Sequence, residues 1–562
     1  MGPALRALIG PVPDAGLRRA LLLVPLLFPL VMLACTVSAG WTAANPAGWH
    51  ALFDDVQWPT ALCSSVVVAL AASSLALLLA LAMLAPGADG RPAGWLRHTL
   101  PVLLAVPHAA FAIGIAALIA PTGWLLRLLA PLTGWTEPPA WPTVQDPWGL
   151  GLTAVLVLKE TPFLLWAGLG QLNRPDAAAR LHLEWRVACS FGHSPASAWW
   201  RVGVPQLLPR LRWPLLAVLA YSLTVVDVAL VIGPGSPPTL AVLAWGWLQS
   251  PDSERLAQGA AAGAVLTLVL AALAGLALWR QRAGWPAALR RWWCAGPALA
   301  PIPLRQPRHI APPGLALALP WVYGLVMLAL ALGSVIGVWR FPALWPEAWT
   351  PEAWATVSAS PTVLADSVSL ALASAGTSLL LSLWWLEAVP AHWDRRLRPV
   401  MLLPLVLPGV LWVVGVHRVA LHLGLDTSWS GVWLAHTLVV LPYTLIALSP
   451  AYQGFDVRLW HTAATLGCGR LRFLLQVKWP LLRAALAAAF AVGMAVSVAQ
   501  YLPTLYLGGG RINTVTTEAV TLASGAQRSL TAAFAWVQWL LPALGFALAA
   551  WVAQPRWREG SA

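Results

Sequence analysis

Pro59-Thr60-Ala61-Leu62-Cys63-Ser64-Ser65 and Pro361-Thr362-Val363-Leu364-Ala365-Asp366-Ser367 share the pattern PTxLxxS, and each opens a long apolar run. Further along, Val106-Pro107 leads to Gly114 and Leu407-Pro408 leads to Gly415, with the same spacing in both places. Two signals recurring in the same order, far apart in one chain, imply a parallel duplication of about six helices per copy.

What those helices are made of sets their solvent. The 562 residues are 59% hydrophobic and only 10% charged, with a mean hydropathy of +0.71, which is not the composition of a water-soluble chain. A hydrocarbon core needs about 20 apolar residues per helix. Runs of that size fall near 20–40, 60–84, 99–120, 148–169, 213–234 and 259–279, then near 314–338, 362–386, 399–421, 431–449, 483–507 and 530–553. The expected fold class is an all-α membrane protein of about twelve transmembrane helices in two tandem six-helix halves.

The net charge of +13 would suit nucleic acid if it formed a patch, but the basic residues sit in short clusters between apolar runs. They fit the positive-inside rule instead. With the N-terminus inside, Arg127, Arg255, Arg340, Arg418, Arg511 and Arg528 lie at or beyond the outer face and Lys159 lies in a span. The rest of the 34 Lys and Arg are cytoplasmic. A missed span would break that bias, so both termini are expected in the cytoplasm. Many of the 36 Trp, such as Trp41, Trp58 and Trp339, stand near span ends as an interfacial belt. The apolar run after Arg18 and Arg19 lacks a clear small-x-small cleavage site, so it reads as a retained first helix rather than a signal peptide. Five cysteines without CxxC spacing indicate neither a zinc site nor a disulfide framework.

The first half is expected over 1–279 and the second over 314–562. Between them, 280–313 is rich in Arg and Pro with no long apolar run, and reads as a cytoplasmic linker or, alternatively, a docking segment for a partner.

The long cytoplasmic segments near 176–212 and 453–482 carry the functional signal. One holds Ala188, Phe191, Gly192 and Pro205; the other holds Ala463, Leu466, Gly467 and Pro480. Gly and Pro are thirteen residues apart in both, with Ala four before the Gly and a bulky apolar residue just before it. A short helix ended by Gly, a second short helix with Ser194 as N-cap and Pro195 in its first turn, and a Pro opening the next helix make a rigid projecting hairpin. An amphipathic loop on the headgroups is the plainer alternative, but two copies at corresponding places favour a projection on which a soluble motor can push.

These motifs resemble the EAA-x3-G-x9-I-x-LP loop of type I, binding-protein-dependent ABC importer permeases, and most of each half follows the family's pattern. Ala188 and Ala463 match the second Ala, Gly192 and Gly467 the Gly, and Pro205 and Pro480 the Pro. The leading Glu is replaced by Arg186 and His461, and the first Ala by Val187 and Thr462. Gln500 with Gly508-Gly509-Gly510 and Thr514, and Asp227 with Gly233-Pro234-Gly235 and Thr239, make a further matched pattern in which Gln500 stands for Asp227. Fusion of two halves is similar to the ferric-iron and thiamine importer permeases, and Leu158-Lys159-Glu160-Thr161-Pro162-Phe163 to the thiamine subgroup. The resemblance implies a non-enzymatic permease of the bacterial inner membrane whose two loops dock on two copies of a partner ATPase. That partner would hold ATP and Mg, and a periplasmic or extracellular binding protein would deliver a small molecule such as thiamine. The chain itself has no phosphate-binding loop, because its two lysines precede Glu160 and Trp479.

Lys159, Glu160 and Asp227 fall within spans, where a charge costs about 2.5 to 3.5 kcal/mol on insertion scales. With Gln500 they are candidates for the translocation path; equally, Lys159 could pair with Asp227 or Glu160 to join two helices. His108, His417 and His436 lack metal spacing and read as packing or interfacial residues. No nucleophile elbow, HExxH or paired carboxylates argue for an enzyme. A twelve-helix secondary transporter would share the spans and the duplication but does not require the matched hairpins.

Overall fold

A computed structural model describes residues 24–85, 95–172, 175–283, 291, 313–525 and 527–554. Most of the linker expected over 280–313, both termini and Cys294 lie outside the described residues. Among those described, the chain is helical throughout, with one isolated bridge between Ile336 and Trp349.

Eight helices are long and apolar enough to cross a membrane, or ten if each of two bent pairs is one span. Against twelve expected continuous spans, the 314–338 region offers a shorter apolar helix, Ala318–Gly333, and four expected spans are interrupted, two at matched places in each half. The expected 99–120 span stops at Ala105 and resumes at His108; the 399–421 span stops at Met401 and resumes at Gly409, with a 93° bend. Pro107 and Pro408 each stand just before the resumed helix, where a missing N–H and a restricted preceding residue end regular structure. The 213–234 span divides into Arg212–Thr224 and Asp227–Ile232, and the 483–507 span into Arg483–Val498 and Leu502–Gly508. No proline stands at the first-half break, whereas Pro503 stands in the first turn of the resumed helix Leu502–Gly508 in the second half. Irregular backbone at membrane depth is tolerated where it is enclosed by protein or lines a cavity, and both breaks carry polar groups.

The PTxLxxS repeat has a structural reason. Ser65, on Trp58–Met83, accepts a hydrogen bond from the Leu240 amide at 2.9 Å, and Ser367, on Pro361–Ala388, accepts one from the Val515 amide at 2.9 Å. Each serine satisfies an orphan donor at the start of a buried helix, Leu240–Leu248 or Val515–Ala523. Leu240 and Val515 are 275 residues apart, as are Gly192 and Gly467, Pro205 and Pro480, and Thr239 and Thr514. In this register Asp227 is equivalent to Leu502 and Gln500 to Val225, so matching Asp227 with Gln500 was two residues out.

The Pro-to-Gly repeat has another. The first helix, Val24–Trp41, packs against Gly409–Leu423 of the second half, and Pro313–Gly333 packs against His108–Ile119 of the first. Gly415 sits where Val24–Trp41 crosses: a Cβ there would lie 3.0 Å from the Cys35 Cα and closer still to its carbonyl. At Gly114 a Cβ would meet Val326 at 2.5 Å. Each half therefore uses its matched glycine to receive the other half's first span.

Candidate functional site

Two regions hold the residues singled out above. The first is the pair of hairpins. Pro175–Ser190 ends in a Schellman turn: Gly192 has φ +91°, its N–H donates to Cys189 O at 3.0 Å, and the His193 N–H donates to Ala188 O at 3.3 Å. Arg458–Thr465 ends the same way, with Gly467 at φ +78°, its N–H on Ala464 O at 3.0 Å and the Cys468 N–H on Ala463 O at 2.9 Å. Ala188 and Ala463 thus supply the carbonyl that closes the wide loop of the turn, and Gly supplies the left-handed backbone that a Cβ resists. Ser194 caps the next short helix, Pro195–Ala198, by accepting from the Ser197 amide at 3.2 Å.

Beyond the short helices the hairpins stay matched. Trp199–Gly203 and Leu474–Lys478 are both π-helical turns, the Val204 and Trp479 amides reaching back to Trp199 and Leu474. Pro205 and Pro480 follow in the next turn. Because a proline ring clashes with the carbonyl four residues back, a widened turn is the local solution. Phe191 and Leu466 occupy the tips just before each glycine, and are 73% and 82% exposed. A large apolar side chain is thus left exposed at the same point of each hairpin.

The roots of the hairpins differ. Trp199 is buried, donates its Nε1–H to Leu81 O at 2.9 Å and lies over Gly203. In the second hairpin Lys478 stands where Gly203 stands in the first, and donates to Glu387 Oε2 at 2.8 Å.

The second region lies among the broken helices. Lys159 is buried but pairs with neither Asp227 nor Glu160, contrary to the structural pairing considered above. Its Nζ donates to Val106 O at 2.5 Å and Leu103 O at 3.4 Å, beside the rings of Phe111 and Tyr323. Those carbonyls end Trp95–Ala105, where the chain breaks before Pro107, so Lys159 caps the negative end of a helix. Glu160, the next residue, points elsewhere: its Oε1 lies 3.1 Å from His108 Nε2, with side-chain exposures of 7% and 31%. His108 opens the resumed helix and its ring centroid is 4.7 Å from that of Tyr221. Reading His108 as a packing residue missed this ion-pair geometry.

Asp227 is half-buried at the start of its short helix and within electrostatic reach of His108. Tyr221 is within reach of Asp227, Glu160 and Tyr443, and Tyr501 of Asp227. Gln500 is half-buried and donates its Nε2–H to Val496 O at 2.9 Å. The fold thus brings together Glu160, Asp227, His108 and Tyr221 from the first half with Tyr443 and Tyr501 from the second. Among the described residues no group of His, Cys, Asp or Glu could hold a metal ion.

Compared with known proteins, the chain is 37% identical over 550 residues to the inner membrane ABC transporter permease protein YnjC of Escherichia coli, covering 96% of this chain and 97% of that one. The chain belongs to the ABC transporter permease family. This permease is also 31% identical over 208 residues to the molybdenum transport system permease protein ModB of Mycobacterium bovis, across 34% of its own length and 76% of the relative's. It is 31% identical over 124 residues to the thiamine transport system permease protein ThiP of Brucella suis, across 19% and 23%. No protein-family model matches the chain. The permease is therefore a fused, two-half, multi-pass protein of the inner membrane.

Proposed function

We propose that this permease forms the substrate path of an ATP-driven importer and that its two hairpins dock on two copies of a partner ATPase, while a binding protein delivers substrate at the outer face. In this reading both termini and the linker are cytoplasmic, and ATP and Mg belong to the partner. The observation that carries the proposal is the twin Schellman-ended hairpin with an exposed Phe191 or Leu466 at its tip, because a rigid matched pair is what transmits the closure of two motor subunits.

The substrate is a small organic cation, thiamine first. Glu160, Asp227 and Gln500 line the path with His108, while Tyr221, Tyr443 and Tyr501 offer aromatic faces. Carboxylates and ring faces both attract a cation, whereas two carboxylates repel an oxyanion such as molybdate.

Reconstitution with the cognate ATPase and binding protein in proteoliposomes tests both parts. ATP-dependent thiamine uptake that stops when hydrolysis is blocked, with the proton gradient kept, is the expected result. Uptake that follows the gradient instead would make the protein a secondary transporter; ATP-driven uptake of molybdate but not thiamine would overturn the cation reading alone.

A further inference from the structure

The two hairpins match in backbone but not in chemistry at their roots. In the second, Tyr452, Phe455, Val457, Trp460, Arg470, Phe473 and Lys478 line an open cavity of about 100 Å³. Two cations meet one carboxylate there. Arg470 donates its Nε–H to Glu387 Oε1 at 3.0 Å and also contacts it through Nη2, while Lys478 and the Tyr452 hydroxyl reach Glu387 Oε2 at 2.8 and 2.6 Å. No second carboxylate lies in ion-pair range of either cation among the described residues. Arg470 Nη1 makes no hydrogen bond among them either.

Lys478 Nζ sits 3.8 Å from the Tyr452 ring centroid and the Arg470 guanidinium 5.0 Å from that of Trp460. The cavity is therefore walled by rings that fix both cations and carries one uncompensated positive charge. Neither cation recurs at the matched positions of the first hairpin: Pro195 and Gly203 replace Arg470 and Lys478, and the Trp199 ring fills the space over Gly203.

We propose that this cavity receives an acidic side chain of the partner ATPase, so that the second hairpin grips its motor subunit through a charge-assisted pair while the first does not. This rests on the docking reading above. Three observations choose the occupant. The surplus charge calls for an anion. The volume is below the roughly 300 to 1,000 Å³ of small-molecule sites, which suits a side-chain carboxylate rather than a free metabolite. The mouth adjoins exposed Val457, Leu459 and Leu471 on the same hairpin, so an occupant arrives as part of a larger surface. Two identical ATPase copies would then be held unequally by one fused permease.

Cysteine cross-linking of the co-expressed ATPase tests this in membranes, with all five native cysteines replaced by Ser or Ala and a single cysteine placed by Phe191→Cys or Leu466→Cys. Lys478→Met removes the surplus charge and leaves Glu387 paired with Arg470; Arg470→Gln leaves it paired with Lys478. Either is expected to lower cross-linking at Leu466→Cys by about tenfold, the loss of one charge-assisted hydrogen bond, with cross-linking at Phe191→Cys unchanged. Equal cross-linking at both tips in both variants overturns the acidic-side-chain proposal while docking stands. An equal fall at both tips overturns it too. Absence of cross-linking at either tip in the unaltered background overturns the docking reading itself.

Discussion

Gly415 packs directly on the backbone of Cys35, although the two residues belong to different halves of the permease. The obstacle to any side chain at 415 is a main-chain carbonyl, which cannot rotate away as a side chain can. At the reciprocal crossing, a Cβ added at Gly114 would lie 2.5 Å from a Val326 methyl and 3.1 Å from the Val326 carbonyl oxygen.

Gly415→Ala should therefore destabilise the protein more than Gly114→Ala, although Ala is otherwise the better helix former by about 1 kcal/mol. Overpacking of this kind costs about 1 to 3 kcal/mol. Thermal unfolding in detergent, followed by the recovery of monodisperse protein, reads the difference; equal melting of both variants with wild type would refute the crossing geometry.

Ser65→Ala and Ser367→Ala each leave a buried amide, Leu240 or Val515, without its acceptor. Each should cost about 1 to 3 kcal/mol, and the two sites share no partner, so the double variant should show the sum. Denaturation midpoints for the two single variants and the double variant give the answer.

Lys159 and Glu160 are sequence neighbours with different work. Lys159→Met uncaps Leu103 and Val106 and should reduce the amount of folded permease, while the survivors transport at a normal rate per molecule. Glu160→Gln keeps the contact with His108 as a neutral hydrogen bond and should leave yield intact while ATP-driven uptake falls at least tenfold. Uptake normalised to folded protein separates the two; a normal yield for Lys159→Met with lost uptake would reverse the assignment.

Gly192→Ala and Gly467→Ala force a Cβ into left-handed backbone, at a cost of about 1 to 2 kcal/mol each, and should loosen the hairpin tips without unfolding the spans. Asn tolerates this conformation better, so Gly192→Asn and Gly467→Asn should be milder. The measurement is the ratio of ATP hydrolysed to substrate imported in proteoliposomes. A ratio unchanged in both Ala variants would show that stiff tips are not needed for coupling.

Much of this was legible from the chain because apolar runs of membrane length and the PTxLxxS repeat are local signals. The turns at Gly192 and Gly467 were legible for the same reason, since a Schellman end is written within one helix and its next residues. The breaks at Val225 and at Ala499 were not: no proline marks the first, and Pro503 near the second has no counterpart in the first half. The capping role of Lys159 could not be read either, because its partners are carbonyls released by a break more than fifty residues earlier. His108 looked isolated until Glu160 was brought across from a different helix, and the three tyrosines come from three separate segments.

The reciprocal crossing at Gly114 and Gly415 has a consequence for how the polypeptide can be cut. A protein severed between its halves and made as two pieces would still be interlocked, each piece lending an arm to its neighbour. Either piece made alone would show the lipid a bare glycine seat and an unclasped helix, so neither is a self-sufficient folding unit. Fusion in this permease guarantees the meeting of two parts that have no finished form apart.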